Sequence, residues 1–179
     1  MAATNLPRPQ ADEHSPYYGQ YIALVPAGDL MALLARQGAE TATLLAAFAE
    51  RQARHRRAPR EWSAIEIVGH LADTERVLVY RALRIARHDP APLEGVDDFA
   101  AYVAAAAFAE RTFADVAAEF AAVRQATLAL FRSFDGAAWT RVGVADGDRI
   151  SVRALGHIVA GHELHHLPDL RDYRAGAGS

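Results

Sequence analysis

Between residues 113 and 134 the positions Phe113, Val116, Phe120, Val123, Thr127, Leu130 and Phe134 follow one another in alternating steps of three and four. That spacing lines up along one side of an α-helix, whereas a strand would need a period of two. The seam is heptad-like and has to be covered by neighbouring helices. Residue usage points the same way. Ala dominates, β-branched residues are sparse, and 51% of the 179 residues are hydrophobic, enough for one domain with a substantial core.

Three further helices are expected. The first covers 29–53, with Leu30, Leu34, Leu44, Leu45 and Phe48 as core positions, and Pro59 breaks the pattern after it. The second covers 63–87. It opens on Ser63-Ala64-Ile65-Glu66, a capping box in which serine and glutamate satisfy free backbone donors, and stops at Asp89-Pro90. The last starts after Ser151, a good N-cap, and runs past Tyr173 with Pro168 inside it, expected to kink it or tighten its final turns. The fold class is therefore all-α, a four-helix bundle spanning 21–175 behind an N-terminal arm, 1–20. The connection between the second and third helices is about twenty residues, long enough to cross back along the bundle and leave those helices parallel. It carries Pro92, Gly95 and a short helix over 99–108. Alternating apolar residues over 142–150, around Asp146-Gly147, suggest a small hairpin.

Absences exclude several chemistries. Without Cys there are no disulfides, thiolate ligands or cysteine nucleophiles. Without Lys, every basic residue besides His being Arg, a Schiff base and a Walker A phosphate loop are both excluded. Ser63 and Ser151 read as caps, and no Gly-x-Ser-x-Gly elbow is present for acyl transfer. The net charge of −3 gives no overall footprint for nucleic acid. One basic cluster, Arg51, Arg54, Arg56, Arg57 and Arg60, reads as a solvated helix end, with a phosphate-binding patch as its alternative. No apolar run is long enough for a bilayer and the start lacks a signal pattern, so the expectation is a cytoplasmic protein without membrane or nucleic-acid partners.

The histidines carry the chemistry. His14, His55 and His88 fall in the arm, a loop and a helix end. His162 and His166, four apart, project ~40° from one another on a single helix face, the spacing of a chelating pair. Leu155, Val159, Asp169 and Tyr173 share that face, so it points inward. His157 lies ~140° away and should be peripheral, while His165 at ~60° could support or replace a ligand. His70 lies on the inward side of the second helix, near Ile67, Thr74, Leu78 and Arg81. Three separate core imidazoles, each with its own hydrogen-bond partner, are the structural alternative to a metal site. Three imidazole ligands suit zinc, nickel, iron or copper and leave a coordination position open, the catalytic pattern.

Two stretches also carry a resemblance. Ala58-Pro59-Arg60-Glu61-Trp62-Ser63 with Glu66-Ile67-Val68-Gly69-His70-Leu71-Ala72-Asp73-Thr74-Glu75-Arg76 resembles the second-helix signature of the DinB family. Ala160-Gly161-His162-Glu163-Leu164-His165-His166 resembles its last-helix signature, and Tyr80-Arg81-Ala82-Leu83-Arg84-Ile85-Ala86-Arg87 fits between them. The resemblance implies a four-helix bundle with the second and third helices parallel, often dimeric. It also implies one divalent metal ion, zinc or nickel first, on His70, His162 and His166. Relatives include S-transferases that join bacillithiol, mycothiol or glutathione to electrophiles, or isomerise a substrate with such a thiol. Pro168 departs from the pattern.

The functional expectation is metal-assisted thiol transfer, with a small-molecule thiol and an electrophile as partners; a metal-dependent hydrolase and a non-catalytic metal-binding stress protein are the alternatives. Hydrolysis would need a base, for which Glu163 and Asp169 are candidates. Asp73 and Glu163 could orient ligand imidazoles, or lie in solvent. Arg81 could hold a cosubstrate carboxylate, or form an interhelical ion pair. Ala and Phe positions over 102–108 are candidates for a homodimer contact.

Overall fold

The computed structural model describes residues 6–96 and 98–176. In chain order its helices are α1 (Gly19–Leu24), α2 (Leu30–Ala46), α3 (Glu50–Arg54), α4 (Ala64–Ala86), α5 (Phe99–Ala106), α6 (Phe113–Arg132), α7 (Gly136–Thr140) and α8 (Val152–Gly176). Strands β1 (Val142–Ala145) and β2 (Asp148–Ser151) lie between α7 and α8. The bundle is α2, α4, α6 and α8.

Directions follow from contacts. Gln37 donates to the Ala160 carbonyl at 3.0 Å and Thr41, one turn on, donates to Glu163 at 2.5 Å, so α2 and α8 run the same way. Ile65, Val68 and Leu71 at the start of α4 share one apolar cluster with Phe113, Val116 and Phe120 at the start of α6. Leu78, Ala82 and Ile85 share the other with Leu128 and Phe131. Helices α4 and α6 are therefore parallel, the arrangement the long connection allows. That connection is tied down halfway: Leu93 accepts from the Asp146 amide at 2.8 Å and donates to Val144 at 3.0 Å, docking beside β1. The hairpin turns at Asp146 and Gly147, with φ of 56° and 76°, the left-handed pair a type I′ turn requires.

Two expectations need correction, and Pro168 lies within an unbroken α8. The stretch 29–53 is two helices, broken at Ala47 to let Phe48 turn toward the Phe113 ring, 5.1 Å away. Helix α3 then restarts on a Gln52 side chain that accepts the Ala49 amide, and Glu50 accepts the Phe113 amide at 2.9 Å, capping α6. Pro168 does not interrupt α8, because its missing N–H falls on an exposed face of a helix held on its other side by Leu167 and Leu170. Within 102–108 the phenylalanine faces inward: Phe108 is buried against Gly69, leaving Tyr102 exposed.

The arm packs on the bundle from Leu6 onward. Buried Glu13 accepts from Ser151 and Arg153, both at 2.7 Å, and Asp12 pairs with Arg149 at 3.0 Å. Of the basic cluster, Arg54 pairs with Glu50, Arg56 with Glu66, and Arg57 with Glu61 and Asp169. The patch is thus largely neutralised. Among the described residues, no helix is long and apolar enough to cross a membrane.

At the centre of the bundle sits a charge. Arg124 of α6 is 1% exposed and donates to both oxygens of Glu75 at 2.9 and 2.7 Å, to Glu163 at 2.8 Å, and to the Leu34 carbonyl at 3.2 Å. Gly38 makes room: a Cβ there would lie 2.8 Å from Arg124 Cγ. Arg124→Ala would strand two buried carboxylates and is expected to cost about 3–5 kcal/mol, read as a lowered midpoint in urea denaturation.

Candidate metal centre

The capping region of α4 sets the first ligand. Glu66 accepts the Ser63 amide at 2.9 Å and its hydroxyl at 2.5 Å, fixing the helix start that turns His70 toward α8. There His70 Nε2 lies 3.1 Å from His162 Nε2. One potential ligand nitrogen from each of His70, His162 and His166 lies within 4.8 Å of the other two. His70 and His162 are buried and His166 half-buried. The three residues the sequence selects on two helices thus converge on one point.

Burial pushes the imidazoles toward their neutral forms. His70 is driven down to about 3, by desolvation first and by His166 second; His166 falls to about 4, through desolvation and then His165. His162 lies well below its ordinary value for the same leading reason. Neutral imidazoles present lone pairs, which is what a cation needs. The geometry also fits: two nitrogens each ~2.0–2.1 Å from one tetrahedral zinc lie about 3.3 Å apart, close to the 3.1 Å between His70 and His162.

Aromatic rings wall the triad. Trp62 lies 4.7 Å and Phe99 5.2 Å from the His70 ring, and Tyr21 sits edge-on to His162 and His165 at 5.4 and 5.3 Å. Tyr21 can come so close because residue 161 is glycine; a Cβ there would lie 2.1 Å from the Tyr21 carbonyl oxygen. The triad opens into a cavity of about 470 Å³ whose wall also includes Thr74 and Arg81.

The neighbours differ from expectation. Glu163 points away from the histidines, to Arg124 and Thr41, so it neither orients an imidazole nor stands free as a base. Asp73 is bonded to Arg76 at 3.0 Å and Asp169 to Arg57 at 2.9 Å. His165 is exposed on the cavity rim, its ring 4.9 Å from that of His166. His157 lies outside the cavity, as its angle requires, yet is buried with Nδ1 donating to the Arg153 carbonyl at 2.8 Å. Arg81 forms no ion pair among the described residues. The group that does meet one of the three imidazoles is Thr74, whose Oγ1 lies 3.3 Å from His70 Nδ1. Its place one turn after His70 was the available signal.

Side chains converging from facing helices inside a bundle are where such folds build metal sites, and this triad could hold an ion. The sequence profile of the DinB superfamily matches residues 33–169, and the chain belongs to that superfamily. Among solved structures it is similar to YfiT from Bacillus subtilis, described as a probable metal-dependent hydrolase with an unusual four-helix bundle topology. The identity is 14%, the TM-score 0.70, and the match covers 95% of this chain and 93% of YfiT. It is also similar to the DinB-like protein YjoA from Bacillus subtilis, at 18% identity and a TM-score of 0.61, over 85% of this chain and 93% of YjoA. No curated protein sequence matches it.

Two outcomes follow for the metal-free protein. Unfolding returns the imidazoles to about 6.5, above their folded values of about 3 and 4, so the unfolded chain binds more protons. Stability is then complete above pH 6.5 and drains away as pH falls toward 4, seen as a falling melting temperature in chelator-treated protein; a flat profile would contradict neutral burial. Gly161→Ala is expected to push α1 off the site, costing about 1–3 kcal/mol and weakening zinc binding in a competition titration.

Proposed function

We propose that this protein is a divalent-metal-dependent S-transferase, joining a low-molecular-weight thiol to an electrophilic small molecule, with zinc or nickel as the metal. One observation carries the reading: the triad stands at an open cavity while both carboxylates the sequence nominates as a general base are engaged elsewhere. Glu163 is held by Arg124 and Thr41, and Asp169 by Arg57. A thiol near its ordinary pKa of ~8.5 needs little help to ionise, whereas water needs far more. His70, His162 and His166 would hold a divalent cation, and the chemistry such an ion would supply there is a lowered pKa for an incoming thiol.

The chain's own residues prepare the place. Thr74 Oγ1 lies 3.3 Å from His70 Nδ1, and in the tautomer whose Nδ1–H donates to it the Nε2 lone pair is left facing the other imidazoles. Trp62, Phe99 and Tyr21 crowd water away from the triad and offer apolar faces to the carbon part of an electrophile. The rival reading is hydrolysis, favoured by the description of YfiT; a metal-binding protein without catalysis is the third.

The test begins with elemental analysis of tag-free wild type and His162→Ala. About one metal per chain, lost in the variant, is the expected result. The loaded protein is then given monochlorobimane with glutathione, bacillithiol or mycothiol, and separately an ester and amide panel without thiol. Metal-dependent conjugate formation supports transfer. Thiol-independent cleavage supports hydrolysis, stoichiometric metal with neither activity supports the third reading, and protein that refuses zinc and nickel overturns all three.

A further inference from the structure

Arg81 is 4% exposed and lines the same cavity as the three histidines. It follows His70 by eleven residues, so it stands ~20° from it around α4 and about 16 Å along it. His70, Thr74, Val77, Leu78 and Arg81 form one stripe down the cavity wall.

Its bonding is unlike that of the other deeply buried arginine. Arg124 meets two carboxylates. Arg81 has only neutral partners among the described residues: the Glu94 carbonyl at 2.8 Å and the Tyr18 hydroxyl at a long 3.3 Å. Its Nε is buried with no partner among those residues. Asp146 also lines the cavity but makes no ion pair with Arg81. A guanidinium stays charged at any pH the protein meets, and a buried charge is costly unless paired. A planar fork with spare donors matches a carboxylate.

We infer that Arg81 binds a carboxylate of the molecule that occupies the cavity, at the end opposite the histidines. The site then reads its ligand at two points, a reacting atom at the triad and an anionic group at Arg81, with the intervening chain along Val77 and Leu78. The inference rests on the proposed function only for what happens at the triad. The carboxylate belongs to the thiol or to the electrophile, and the test separates these.

Cobalt(II)-loaded protein is titrated with ω-mercaptoalkanoates from mercaptoacetate upward, with their methyl esters, and with 2-mercaptoethanol, following the sulfur-to-cobalt charge-transfer band. In parallel, thiol-free alkanoates and their methyl esters are followed by fluorescence of Trp62, which lines the cavity, with Trp62→Phe as the control for the second tryptophan. If the thiol carries the carboxylate, acids bind about ten- to a hundredfold tighter than esters, with a maximum at intermediate length, and Arg81→Gln equalises them while the 2-mercaptoethanol band persists. If the electrophile carries it, the preference for acid appears in the thiol-free series and is lost in Arg81→Gln. Should Arg81→Gln not fold, the acid-to-ester ratio in wild type decides, and Tyr18→Phe is expected to shift it. Equal binding of acid and ester in both series overturns the anchor whatever the thiols do. Absence of any thiol band beside a surviving acid preference overturns thiol transfer and leaves the anchor standing.

Discussion

The bundle is organised around one buried cation. Arg124 reaches from α6 to Glu75 on α4, Glu163 on α8 and the backbone of α2, so a single guanidinium touches all four long helices. Apolar seams alone tolerate sliding, since one leucine fits another's hole nearly as well. A buried charge with directed donors does not, because a shift of one turn leaves carboxylates without a partner in a medium that cannot solvate them. The network therefore specifies register. Glu163 adjoins His162, and Glu75 adjoins Thr74, which contacts His70. The interaction that fixes the helices fixes the triad with them.

This arrangement divides labour along α8. Successive residues, His162 and Glu163, point ~100° apart, one into the cavity and one into the charged centre. Gly161 before them presents no side chain, and α1 rests on its backbone. Three adjacent positions thus serve as roof support, cavity-facing imidazole and register pin. Little in this segment can change without a cost to one of them.

Much of this was legible from the sequence. The seam over 113–134, the capping box at Ser63 and the His162/His166 spacing state their own geometry, because each is local and governed by helix period. The crossover was readable from length alone. What stayed hidden is what depends on tertiary contact. Nothing local separates Glu163 beside the triad from Glu163 as Arg124's partner, since it stands only ~60° from His166 around α8. Arg124 itself reads as a polar step beside the apolar seam until two carboxylates from other helices are seen around it. The break at Ala47 was invisible for a similar reason: the residues are good helix formers, and the pull of Phe113 on Phe48 comes from 65 positions away. Helix period puts Arg81 on the His70 stripe, but its lack of an ionic partner among the described residues shows only in three dimensions.

The contact between His70 and His162 joins positions 92 residues apart. In an open chain, bringing two such points together carries a loop-closure entropy that grows with the logarithm of the intervening length. The folded bundle has already closed that loop, so a cation arriving at the triad would meet imidazoles already in place. An unfolded chain offers it little beyond the local His162/His166 pair. Any affinity for metal at the triad would thus be a property of the topology more than of the three side chains, and by mass action a bound ion would act on the fold as a reversible cross-link, tightening with its own concentration.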